Sequence, residues 1–195
     1  MIIKNDFPIL NSIQTNKKPL IYFDNASTTQ KPKIVIDSIV EYYSQYNANI
    51  HRASYGIAEK ATKKYEESRK KIAKFINADL DEIIFTSGTT QSINFIAYTY
   101  GRTLKDGDEI ILSEMEHHSN IVPWQMLVSN KNIKLKYIPL LDSGELDLKK
   151  FNQLITQKTK LISIIHMSNI IGIINPIKQI VAVANNNNIP ILIDA

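Results

Sequence analysis

Short runs of Ile, Leu and Val alternate along this chain with stretches in which apolar residues recur every three or four positions. The runs "LIYFD" (20–24), "EIIFT" (82–86), "DEIILSE" (108–114), "IKLKYIPL" (133–140), "KLISIIHM" (160–167) and "IPILID" (189–194) have the length and β-branched content of strands. Between them, helical spacing predicts helices. Pro32 suits a first helical turn, followed by Ile36, Ile39, Val40 and Tyr43 on one face. A second helix is expected over 58–76, with Ala58, Ala61, Tyr65, Ile72 and Phe75 on one side. Further helices are expected over 89–101, 118–130, 147–155 and 176–186, the last ended by the asparagine run at 185–188. Near-continuous aliphatic strands imply burial on both faces. The fold class predicted is therefore α/β, a mostly parallel sheet covered by helices, preceded by a polar N-terminal arm over 1–20.

In open α/β sheets ligands lie beyond the carboxyl ends of the strands, so the residues following each run carry the candidate chemistry. After "EIIFT" comes "SGTTQSIN", where Gly88 permits close backbone approach. Thr89 and Thr90 there offer hydroxyls and amides at a helix N-terminus. This suits a phosphate, and it suits ordinary Ser/Thr capping equally well. It matches neither the Walker A nor the dinucleotide glycine spacing. After "DEIILSE" comes "MEHHSN", whose His117 and His118 could stack on a flat ligand, move protons or be simply polar. The only other histidines are His51 and His166, and no metal site is expected. Asn169, after the 160–167 run, can meet a ligand oxygen or cap a turn. Asp194 ends an apolar strand, where a desolvated carboxylate needs a cationic partner. A protonated pyridine nitrogen would serve, as would a salt bridge. Taken together, these four contacts are those that pyridoxal 5'-phosphate requires.

Composition narrows the field. The net charge of +4 comes from lysines spread beside glutamates on helical faces, as in "EKATKKYEESRKKIAKF", so no nucleic-acid partner is expected. The longest uncharged stretch, 161–177, is short for a membrane span and carries polar residues and Pro176, so no membrane partner is expected either. The N-terminus lacks the apolar core of a signal peptide, which makes the cytoplasm the default compartment. There is no cysteine, hence neither a disulfide nor a thiolate metal site.

The segments "DFPIL", "YFDNASTTQKP", "NIHRASYGIAEKAT", "FTSGTTQSIN", "MEHHSNIVPWQ", "HMSNIIGIINP" and "ILIDA" give the sequence a close resemblance to the SUF-type cysteine desulfurases. These are pyridoxal phosphate enzymes of aminotransferase class V with the type I fold. The resemblance implies that Thr89 and Thr90 hold the cofactor phosphate and that His117 stacks on the ring. It further implies that Asn169 meets the ring hydroxyl oxygen and Asp194 the ring nitrogen. His51 and Arg52 fall in a stretch near the substrate. That stretch departs from the family's "HRG" followed soon by another histidine, since Ala53 and Tyr55 stand there.

The implied reaction takes sulfur from L-cysteine, giving L-alanine and an enzyme persulfide for iron–sulfur cluster assembly. The resemblance also implies a homodimer and a sulfur-acceptor protein. The Schiff-base lysine and nucleophilic cysteine of the family fall beyond the matching end of the chain, so no catalytic residue is expected within it. Residues 21–195 are thus expected to form the first part of the large cofactor-binding domain. Two other expectations compete: an inactive truncated remnant or binding module, and a selenocysteine lyase or other lyase of the same fold.

Overall fold

The computed structural model describes residues 4–11, 18 and 20–195, which divide into two compact units, Met1–Ile84 and Phe85–Ala195. In the first unit, α1 (Lys33–Glu41) runs into a π-helical stretch, Tyr42–Tyr46, and α2 spans Gly56–Ile76. Pro32 precedes α1 as its extended N-cap, one position earlier than expected. The start of α2 has no side-chain cap, whereas its end turns on Asn77 in the left-handed conformation. Ala58 and Ala61 are buried as the spacing predicts, but Ile72 and Phe75 are exposed. The first apolar run, "LIYFD", is no strand: Ile21 and Phe23 are 75% and 92% exposed, and no neighbour among the described residues completes a ladder. An extended segment becomes a strand only where another backbone accepts its N–H groups.

The second unit is the α/β sandwich. Four parallel strands, β1 (Glu109–Ser113), β2 (Lys134–Ile138), β3 (Thr159–Ile165) and β4 (Ile191–Asp194), lie in the order β2-β1-β3-β4. Successive connections run outward in opposite directions from the β1/β3 pair, which places the topological switch point between these two strands. Between the strands come α4 (Val122–Asn130), α5 (Leu148–Leu154) and α6 (Ile177–Asn186); α3 (Thr89–Tyr100) precedes β1. The run "EIIFT" is the second strand expectation that fails: Ile83 is buried, yet Ile84 is 70% exposed and unpaired in any sheet of the described residues.

Both faces of the sheet are covered, as the unbroken aliphatic runs require. Ile110, Leu112 and Leu161 pack with Ile93, Ala97 and Trp124 on the α3/α4 face. Ile111, Ile162 and Ile164 pack with Phe151, Ile180 and Ala184 on the α5/α6 face. Burying each such side chain is worth about 1.5–3 kcal/mol. The α3 helix is fixed at its far end. The Lys131 ammonium donates to the carbonyls of Gly101, Arg102 and Leu104 at 3.0, 3.1 and 2.7 Å, complementing the negative end of the helix. Gly101 is obligatory there, because a Cβ would lie 2.2 Å from the Ala97 carbonyl oxygen. Asn187 and Asn188 close α6 as the asparagine run suggests, with Asn188 left-handed. No helix of the described residues is long and apolar enough to cross a membrane.

Candidate cofactor site

The carboxyl end of the sheet gathers the N-terminus of α3, the turn after β1, the loop after β3 and the last residue of β4. At the first of these, Gly88 precedes α3 with φ 151° and ψ 173°, a backbone that side chains disfavour, and a Cβ built there would meet open space. No side chain caps this helix. The amides of Thr89, Thr90 and Gln91 find no acceptor among the described residues, so ordinary capping does not account for the motif. Instead Gln91 Oε1 accepts from Ser87 N at 2.6 Å and Ser87 Oγ at 2.9 Å, and Thr86 and Ser92 hydroxyls meet at 2.8 Å. These bonds stiffen the entry to the helix and leave its positive end free. Thr89 and Thr90 are exposed beside those amides.

The turn after β1 presents His117. Its Nδ1 accepts from Ser119 N at 3.2 Å and lies 2.6 Å from Ser119 Oγ. An N–H donor at Nδ1 places the proton of the neutral ring on Nε2. The ring is half-buried, and the His118 ring lies 4.0 Å away at 41°. The 118–120 turn, which follows His117, packs against α3, the helix that the threonine pair opens.

Asp194 ends β4. Its carbonyl accepts from His166 N at 2.7 Å, and its register partner on β3 is Ile165. The carboxyl is half-buried and forms no salt bridge with any described residue. Burial pushes it above the usual carboxylate range, and the neighbouring His117 pulls it partly back. Asn169 lies exposed on the loop after β3, which is closed by Ser168 Oγ accepting from the amides of Ile170 and Ile171, both at 3.3 Å. His117 and Asp194 are thus electrostatic neighbours, the threonines open the helix packed on the turn after His117, and Asn169 follows the strand beside Asp194. His51 and Arg52 belong to the other unit. There His51 is left-handed, its Nε2 lies 3.3 Å from Glu66, and its amide donates to Thr62 Oγ1; Arg52 is exposed.

One residue of this corner escaped the sequence reading. Glu116, beside His117, is 7% exposed and bonded on both oxygens. Oε1 accepts from Ser113 Oγ and from Ile165 N at 3.0 Å, and Oε2 accepts from Asn120 Nδ2 at 2.7 Å. Asn120 Oδ1 accepts in turn from Ser163 Oγ at 2.6 Å and Trp124 Nε1 at 3.0 Å. Glu116 precedes the 118–120 turn and α4, so no helical spacing in the sequence announced the chain of bonds from 116 through 120 to 124.

An aromatic phosphate with a ring nitrogen fits these groups. Free helix amides beside two hydroxyls suit a phosphate, a half-buried imidazole suits a ring face, and a carboxyl without an ion-pair partner suits a protonated nitrogen.

Comparison with known proteins gives the chain a family. Residues 21–195 match the family model described as aminotransferase class-V. A cysteine desulfurase of Wigglesworthia glossinidia brevipalpis is 48% identical across 98% of this chain and 47% of its own length. Among solved structures, the apo cysteine desulfurase of Thermococcus onnurineus superposes with a TM-score of 0.90 at 38% identity, covering 98% of this chain and 46% of that one. The cysteine desulfurase CsdA of Escherichia coli gives 0.83 at 33% identity, over 97% and 47%. The chain spans about half the length of the relatives it matches. With its parallel sheet, its strand-end site and a match over nearly its whole length, the chain belongs to the aminotransferase class-V family.

Proposed function

We propose that this chain carries the cofactor cradle of a pyridoxal 5'-phosphate-dependent cysteine desulfurase. The overall reaction takes sulfur from L-cysteine, leaving L-alanine and a protein persulfide. The observation that carries the reading is Asp194: a half-buried carboxyl at a strand end, raised by burial, without an ion-pair partner among the described residues. A protonated ring nitrogen supplies the missing cation and so keeps Asp194 ionised. In the same reading the amides and hydroxyls of Thr89 and Thr90 bind the phosphate, the His117 ring covers the pyridine face, and Asn169 meets the ring oxygen. When bound, the cofactor supplies a protonated ring that draws electrons from the substrate's α-carbon.

The 195 residues contain no cysteine, so the sulfur-accepting thiol is not among them, and we assign the cofactor-anchoring lysine to none of them. His51 and Arg52 are assigned to the substrate side. The relatives' names support the sulfur chemistry. The motif "MEHHSNIVPWQ" favours the SUF branch, with a sulfur-acceptor protein, a homodimer, iron–sulfur assembly and a cytoplasmic setting. The test is titration of the 195-residue chain with pyridoxal phosphate by equilibrium dialysis. Reversible binding is expected, weakened roughly tenfold or more by Asp194→Ala through loss of a charged hydrogen bond. Borohydride reduction should leave no adduct concentrated on one lysine by peptide mass spectrometry, only the scattered products that exposed lysines form with any aldehyde. Equal affinity in Asp194→Ala and Thr90→Ala would sink the assignment.

A further inference from the structure

The Glu116 network has a direction that chemistry alone dictates. The indole N–H of Trp124 can only donate, so the Asn120 atom facing it at 3.0 Å must be the oxygen. That fixes Asn120 Nδ2 as the group 2.7 Å from Glu116, and an amide nitrogen needs an acceptor there. The remaining carboxyl oxygen faces Ser113 Oγ and the amide of Ile165. Position 116 therefore requires two acceptor atoms, which a carboxylate has and an amide side chain lacks.

The consequence is positional. The register of β1 with β3 ends at Ile111↔Ile162, so the backbone of Ile165 lies past the ladder on that side. Glu116 Oε1 takes its N–H, and Asn175 Nδ2 donates to its carbonyl at 2.7 Å. Two side chains thus stand in for the missing strand. On the other side Ile165 is the register partner of Asp194, and the residue after Glu116 is His117. We propose that Glu116 is the positioning residue of the cofactor site: its carboxyl fastens the turn that carries His117 to the end of β3 that seats Asp194. This rests on the reading of His117 and Asp194 as cofactor contacts.

Electrostatics supports the geometry. Burial raises the Glu116 carboxyl, its three hydrogen bonds oppose this, and the charge of Asp194 on β4 raises it further. Charge thus links two consecutive residues to Asp194: Asp194 pushes Glu116 up, and His117 pulls Asp194 down.

The test compares the intact chain with Glu116→Gln and, as a variant that weakens the network without changing charge, Ser163→Ala. Carboxyl carbon NMR follows the titration of Asp194, dialysis follows pyridoxal phosphate, and circular dichroism follows folding. Glu116→Gln is expected to move the Asp194 midpoint to higher pH, because the loosened turn no longer holds His117 beside it, and to weaken pyridoxal phosphate about tenfold, with secondary structure retained. Ser163→Ala should leave the Asp194 midpoint nearly unmoved. If Glu116→Gln lowers the melting temperature but changes neither the midpoint nor the affinity, Glu116 is only a fastening of the fold and the proposal is wrong. If the midpoint moves as expected while no form binds pyridoxal phosphate, the positioning of Asp194 stands and the cofactor reading fails.

Discussion

Glu109 and Glu116 are buried carboxyls of one sheet, 6% and 7% exposed, at opposite ends of the same strand and its following turn. At the amino end, burial pushes Glu109 up, but the Lys136 ammonium at 2.7 Å and the hydroxyls of Thr156 and Thr159 outweigh it and hold the carboxyl below its usual range. At the carboxyl end Glu116 has donors but no cation, and a second acid, Asp194, nearby; both are raised. Similar exposure thus goes with opposite shifts, set by whether a cation stands alongside. One end of the sheet is settled by an ion pair, whereas the other holds two acids without an ion-pair partner among the described residues, as a site awaiting a cation requires.

The largest expected effect breaks the settled end. Lys136→Met leaves Glu109 buried beside hydroxyls alone and should cost about 2–3 kcal/mol in urea denaturation, somewhat less than for a fully buried pair. At the other end, Trp124→Phe keeps most of the packing but removes the N–H that orients Asn120, for an expected loss of about 1–2 kcal/mol by the same measurement. The two ends should also separate by pH. Glu109, lowered, contributes stability above its ordinary value of 4.5 and loses it as pH falls through its lower folded value. Glu116, raised from the same 4.5, contributes stability that is complete below that value and disappears as pH rises through its folded one. Denaturation curves from pH 4 to 7 should therefore show the gap between the intact chain and Glu109→Gln widening with pH. The Glu116→Gln gap should narrow over the same range. Smallest of all, Thr89→Ala should change stability by less than about 0.5 kcal/mol, because its exposed hydroxyl supports no described neighbour. It should still weaken pyridoxal phosphate severalfold in dialysis.

Legibility followed the same division. The strands from Glu109 to Asp194 were readable because aliphatic runs buried on both faces look alike in sequence and in structure. "LIYFD" and "EIIFT" carry the same composition, but pairing depends on where other backbones lie, which composition does not encode. The candidate site residues were picked out because such folds bind at strand ends, although the run before Thr89 and Thr90 forms no strand. Glu116 was not picked out, since its importance lies in bonds to Ile165 and Asn120 that only the folded chain brings within reach.

A donor-only indole at one extremity and a two-acceptor carboxyl at the other make the line from Trp124 to Glu116 a one-way circuit. An amide at 116 would face the Asn120 amide nitrogen with a like group, and a ring without its N–H at 124 would leave the Asn120 oxygen one donor short. Among related sequences the identities at 116, 120 and 124 should accordingly change in concert, as an inherited triplet, even where the surface around them drifts freely.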